Sequence, residues 1–214
     1  MTQGRIGLCP YGYFVDMKIA VFGASRGVGF HVVQQALAQG YTVTAFARSP
    51  SFPHHPSLKV VQGDVFDLEA VSKAVQGQDA VVIALGAGNK AADQTRSQGT
   101  AYIVRAMQQH RVRRVVAVSS FGVGDSRKGL IANAAWLFLR AALEEHERQE
   151  KTLMESGLDW TIVRPTGLTN EAKTGVYKIG SSGRGRISRA DVADFILKSL
   201  ADPDFIGKAL VISD

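Results

Sequence analysis

The stretch Lys18-Ile19-Ala20-Val21-Phe22-Gly23-Ala24-Ser25-Arg26-Gly27-Val28-Gly29 decides how the whole chain is read. An apolar run, Ile19 to Phe22, meets glycines at 23, 27 and 29, and behind them Val28, Val32, Ala36 and Leu37 recur at helical spacing. The pattern predicts a strand, a tight turn and a helix. Gly23 permits the sharp exit from the strand, Gly27 lets a ligand lie against bare backbone, and Gly29 lets the helix sit close on the sheet. The helix start offers amide N–H groups and the positive end of its dipole, which together suit a pyrophosphate. Glycines in this number also occur in ordinary turns. Because a strand precedes them and a helix follows, the better reading is a dinucleotide loop made of Gly23, Ala24, Ser25, Arg26, Gly27, Val28 and Gly29.

Working outward, no Pro/Gly/Ser-rich linker or charge block divides the 214 residues, of which 45% are hydrophobic and 21% charged. That composition belongs to a folded globular chain and excludes a disordered one. Residues 17–214 read as one domain. Residues 1–16 lack a clear period and read as an N-terminal extension, loosely packed or disordered. The net charge of +6 suits a phosphorylated cofactor, an anionic substrate, nucleic acid or a membrane surface. The basic residues are scattered, however, and the one cluster, Arg111, Arg113 and Arg114, reads as a solvated turn before a strand. Neither a nucleic-acid nor a membrane partner is expected. The apolar run from Gly129 to Leu139 is shorter than the ~20 residues a bilayer needs. A single cysteine, Cys9, cannot close an internal disulfide, which favours a reducing, cytoplasmic location. With no long heptad and no bare sheet edge, the expected state is a monomer or weak homodimer.

Thr42–Ala47, Leu58–Val61, Ala80–Leu85, Val115–Val118, Trp160–Val163 and Leu210–Ile212 read as strands, the uninterrupted run at Ala80 as a central one covered on both faces. Helices are expected behind Asp67, between Gly99 and His110, from about Asn133 to Ser156, and behind a capping box formed by Ser188 and Asp191. On the long helix, Glu144 and Arg148, and Glu147 and Lys151, are spaced to pair. Strands alternating with helices give an α/β fold, a single-domain doubly wound parallel sheet with helices on both faces.

Several stretches can then be taken together: G-A-S-R-G-V-G at Gly23–Gly29, G-D-V at Gly63–Val65, Q-D-A-V-V at Gln78–Val82, A-L-G-A-G at Ala84–Gly88, V-S-S at Val118–Ser120 and T-I-V-R-P-T at Thr161–Thr166. In this order the chain resembles the atypical short-chain dehydrogenase/reductases, in particular the NmrA-like NAD(P)-binding group and its biliverdin-IXβ reductase (flavin reductase) branch. The resemblance implies that Asp64 and Val65 touch adenine and that Leu85 and Gly86 lie on the ribose side. It also implies that Ser119, Ser120, Pro165 and Thr166 reach towards the nicotinamide. Thr166 stands where the mammalian members of that branch carry histidine.

After the second strand an NAD-binding chain places a carboxylate against the ribose hydroxyls, whereas Arg48 and Ser49 stand here. A guanidinium pairs with a 2′-phosphate that a carboxylate would repel, so the expected cofactor is NADP(H). Arg26 either adds a second contact or is an exposed turn residue. The dyad of a classical short-chain dehydrogenase, a tyrosine four residues ahead of a lysine, is absent, and the long helix holds no tyrosine. That helix carries His146 and Glu150 one turn apart, a spacing at which the carboxylate would favour a protonated imidazole acting near the cofactor, or a plain surface hydrogen bond. Ser120 is the other candidate catalytic group, its alternative role being to cap the following loop. Phe121, Trp136 and Phe138 supply either an apolar pocket wall or core. No metal is called for. These residues together point to a small aromatic or conjugated substrate, a flavin or linear tetrapyrrole, that takes hydride from the cofactor directly. A non-catalytic NADP(H)-binding regulator or assembly factor is the rival reading. A sugar-nucleotide epimerase fits poorly without the dyad.

Overall fold

The computed structural model describes residues 17–86, 94–126, 130–181, 183 and 185–214, with backbone alone over 130–139. The expected extension 1–16, Gly88, and the side chains of Trp136 and Phe138 lie outside the described residues. The opening stretch forms β1 (Lys18–Phe22) and α1 (Gly27–Ala38). Then follow β2 (Thr42–Ala47), β3 (Leu58–Gln62), α2 (Leu68–Val75), β4 (Ala80–Ile83), α3 (Thr95–His110), β5 (Arg114–Val118) and α4 (Leu130–Met154). The chain closes with β6 (Asp159–Pro165), β7 (Gly167–Thr169), β8 (Lys178–Gly180), β9 (Arg186–Ser188), α5 (Arg189–Ala201) and β10 (Lys208–Ser213).

Among the described residues the central sheet has eight strands in the order β3-β2-β1-β4-β5-β6-β10-β8. All neighbours are parallel except β10 and β8. Ile19 and Val21 of β1 join Val32, Ala36, Val192 and Ile196 in the core under α1 and α5. Ala20 and Phe22 join Val71, Ala74, Ile103, Met107 and Leu153 in the core under α2, α3 and α4. Successive residues of β1 are thus buried on opposite faces, which is why the strand reads as a continuous apolar run and not an alternating one. This is the doubly wound α/β fold expected of the sequence, with helices on both faces.

Three departures have simple causes. Strands β7, β8 and β9 have three residues each, too few to show a period of two, and β7 pairs with β9 in a small separate sheet. Ser188 caps α5, accepting from the Asp191 amide at 3.0 Å, but the Asp191 carboxylate also accepts from the amides of Thr174 and Gly175, tying that turn to the helix. The expected ion pairs on α4 shift partners: Arg148 pairs with Glu145, Glu144 with Arg140 and Lys151 with Glu155. Among the described residues no helix is long and apolar enough to cross a membrane.

Candidate functional site

Strand order reverses between β1 and β4, and loops leaving the carboxyl ends of β1, β2, β3, β4 and β5 surround a cavity of about 980 Å³ there. In an open α/β sheet this switch point is where a crevice forms. Gly23 opens it. At φ +82° it sits in the left-handed region, and a methyl group there would lie 2.3 Å from the Ala84 carbonyl oxygen. Gly29 is equally confined, its methyl position lying 2.3 Å from the Gly23 carbonyl oxygen, so that α1 starts against the end of β1. Arg26 is the extended N-cap residue of α1 and makes no side-chain cap, nor does the first turn hold an acidic residue. The α1 terminus therefore keeps its positive end facing a cavity lined by Ser25, Arg26, Gly27 and Val28. Gly27, at φ +62°, has open space beyond its α-carbon, where among the described residues only the Arg189 side chain comes near, 3.8 Å from where a methyl would sit. Amides without side-chain caps, bare backbone and adjacent guanidinium groups fit the diphosphate of a dinucleotide.

Arg48 and Ser49 stand exposed at the end of β2 and line the same cavity. Asp64 and Val65 line it from beyond β3, and Leu85 and Gly86 from beyond β4. The Asp64 carboxylate accepts from the Phe66 amide at 3.0 Å, which fixes the turn. Ala24 and Gly29 are buried behind the loop they shape and do not line the cavity.

At the far end the structure separates residues that the sequence placed together. Ser119 lines the cavity, but its hydroxyl donates to Glu150 Oε1 at 2.5 Å. Ser120 does not line it. Its hydroxyl donates to the Phe121 carbonyl at 3.1 Å, the arrangement of the loop-capping alternative. Pro165 and Thr166 are buried outside the lining, with the Thr166 amide donating to the Ile212 carbonyl at 3.1 Å, so their expected reach towards the nicotinamide is not seen. Phe121 is likewise absent from the lining.

His146 does line the cavity, although not as expected. Its helix neighbour Glu150 turns away to make two bonds to Arg164, at 3.0 and 2.7 Å, and leaves the imidazole to Gln149. The Gln149 amide nitrogen donates to Thr100 Oγ1, so its oxygen accepts from His146 Nδ1 at 3.2 Å and Nε2 keeps the lone pair. Burial first, and then the Arg96 guanidinium, push the imidazole down to about 4. The protonated imidazole expected from the His146–Glu150 spacing is thereby corrected to a neutral one.

A stability consequence follows. Below its ordinary value of 6.5 the unfolded chain binds a proton at His146 that the folded chain refuses until about pH 4. Stability should fall as pH drops through that window, by at most about 1.4 kcal/mol per unit from this group, and be unaffected by it above 6.5. Urea denaturation between pH 4.5 and 7.5 is expected to show a flatter profile for His146→Gln. An identical slope in the two proteins would show that the imidazole titrates normally.

The cavity also contains groups that sequence reasoning missed: Thr95 and Arg96 at the start of α3, Leu168 and Asn170 around β7, and Arg189 opening α5. The signal for Arg189 was present, since it follows directly on the recognised cap Ser188, but β7 and β9, which carry it to the cavity, were not recognised.

Comparison with known proteins agrees with this geometry. Residues 23–203 match the NAD(P)H-binding family. The chain is 31% identical over 212 residues to an uncharacterised chloroplastic protein of Arabidopsis thaliana, covering 91% of this chain and 76% of that protein. The oxidoreductase ylbE of Lactococcus lactis superposes with a TM-score of 0.82 at 26% identity, covering 92% of this chain and 91% of that one. ChuY, an anaerobilin reductase from Escherichia coli O157:H7, superposes with a TM-score of 0.76 at 25% identity, covering 91% and 96%. A Rossmann sheet with a glycine loop at its switch point and a matched family over most of its length place this chain in a class of nucleotide-binding, oxidoreductase-like folds. The chain belongs to the NAD(P)H-binding family, and the atypical short-chain dehydrogenase/reductase assignment fits it.

Proposed function

We propose that the protein is an NADPH-dependent reductase that passes hydride to a planar conjugated acceptor, a flavin or a linear tetrapyrrole such as biliverdin. The observation that carries this reading is the make-up of the cavity. It presents a guanidinium and a hydroxyl, Arg48 and Ser49, at the turn where a carboxylate would select NAD, and α4, which holds no tyrosine, brings it an imidazole. The bound nicotinamide supplies the hydride, and a conjugated acceptor takes its proton from water, so the chain has to bind and orient. Leu85, Val118 and Leu168 offer apolar surface to flat rings. His146 Nε2, unprotonated, accepts a hydrogen bond from an acceptor N–H. The similarity to an anaerobilin reductase supports a reductase.

Steady-state NADPH oxidation with FMN, quinones and biliverdin tests the reading, and turnover with at least one of them is expected. Tight NADPH binding without turnover on any of them would overturn it in favour of an NADP(H)-binding regulator. Arg48→Glu is expected to weaken NADPH binding by about tenfold or more, while NADH changes little. Equal losses for the two nucleotides would show that Arg48 does not read the 2′-phosphate.

A further inference from the structure

Arg189 is placed in an unusual electrostatic setting. Its Nε and Cδ lie 3.8 and 3.9 Å from where a methyl group on Gly27 would project, beside the first turn of α1. Nη1 donates to the Thr169 carbonyl at 3.1 Å and to Asn170 Oδ1 at 2.8 Å, both neutral acceptors. Among the described residues no carboxylate pairs with it, although it is half-buried. A guanidinium and the positive end of a helix thus share one corner, an arrangement that repels until an anion lies between them. The field of Arg189 is felt on α1 itself, where it adds to burial in lowering the His31 pKa.

We propose that Arg189 clamps the cofactor's diphosphate from the side opposite the α1 amides, dividing the work with Arg48, which takes the 2′-phosphate. The clamp also ties the cofactor to the β7 segment, since Thr169 and Asn170 hold the guanidinium and Leu168 beside them lines the cavity. Cofactor binding then organises one wall of the acceptor site.

The assignment rests on the nucleotide reading above, and fragments of the cofactor separate the two. Calorimetry would use ADP, which has the diphosphate without the 2′-phosphate, and 2′-AMP, which has the reverse. Arg189→Gln is expected to weaken ADP by about tenfold or more and to change 2′-AMP by less than about threefold. Arg48→Gln should give the opposite split. Unchanged ADP affinity in Arg189→Gln, or equal losses for both fragments, would overturn the clamp while leaving the nucleotide site in place. Failure of the wild-type protein to bind NADPH at all would instead remove the reading beneath it. Should Arg189→Gln not fold, crystals of the wild-type protein soaked in ADP give an independent answer. Arg189 within hydrogen-bond distance of a phosphate oxygen supports the clamp, and Arg189 turned away from both phosphates overturns it.

Discussion

Gly23→Ala is expected to cost about 3 kcal/mol or more of folding stability and to abolish nicotinamide-nucleotide binding in whatever fraction still folds. Two separate penalties meet at this position. The left-handed backbone, φ +82°, costs a residue with a β-carbon roughly 1–2 kcal/mol. The added methyl would also lie 2.3 Å from a backbone carbonyl oxygen, that of Ala84, which a rotamer change cannot move away. Relieving that contact means parting the ends of β1 and β4, whose last pair is Phe22 with Ile83, and those ends frame the mouth of the cavity. Two other glycines separate the terms. Gly77 has φ +73° with nothing within 4 Å of its methyl position, so Gly77→Ala should show the conformational term alone, about 1 kcal/mol. Gly86 has no left-handed backbone and, among the described residues, no neighbour within 4 Å, so Gly86→Ala should leave the urea midpoint nearly unchanged. If Gly23→Ala were no worse than Gly77→Ala, the close approach of the β1 and β4 ends would not be what makes glycine necessary.

The same contrast shows how far the sequence could be read. Gly23 and Gly29 announce themselves because their demands are local: a turn and a helix start within seven residues of one another. The strands of the central sheet were legible for a related reason, since burial on both faces leaves Ile19–Phe22 of β1 and all of β4 without a polar residue, runs that no exposed element would carry. The cavity residues supplied by those strand ends, from Ser25 to Leu85, came with them. What stayed hidden depends on partners remote in the chain. His146 and Glu150 sit one turn apart on α4, and spacing alone makes them a pair. Arg164, on β6, and Ser119, beyond β5, compete for the same carboxylate and take it. The strands β7 and β9 are three residues long and gain their structure from each other, so Arg189, Leu168 and Asn170 reach the cavity by a route that no local pattern encodes.

That competition for Glu150 makes it the second position of large effect: Glu150→Ala is expected to destabilise the protein by about 3–5 kcal/mol. The Glu150 and Arg164 side chains are 5% and 3% exposed, and two hydrogen bonds join them. Removing the carboxylate leaves a guanidinium deep in the fold whose remaining acidic partner is Asp125, 69% exposed and therefore well solvated. The Ser119 hydroxyl loses its acceptor in the same step and is freed at the cavity wall. Asp125→Asn should cost less than about 1 kcal/mol, because an exposed carboxylate gains little from pairing that water does not already provide. Replacing the pair together, Glu150→Leu with Arg164→Met, should recover much of the loss, since the penalty in the single variant comes from a stranded charge more than from a missing attraction. Guanidinium chloride would mask these charges, so urea denaturation is the measurement to use. A double variant as unstable as Glu150→Ala alone would mean that packing around Ser119, and not the uncompensated guanidinium, sets the cost.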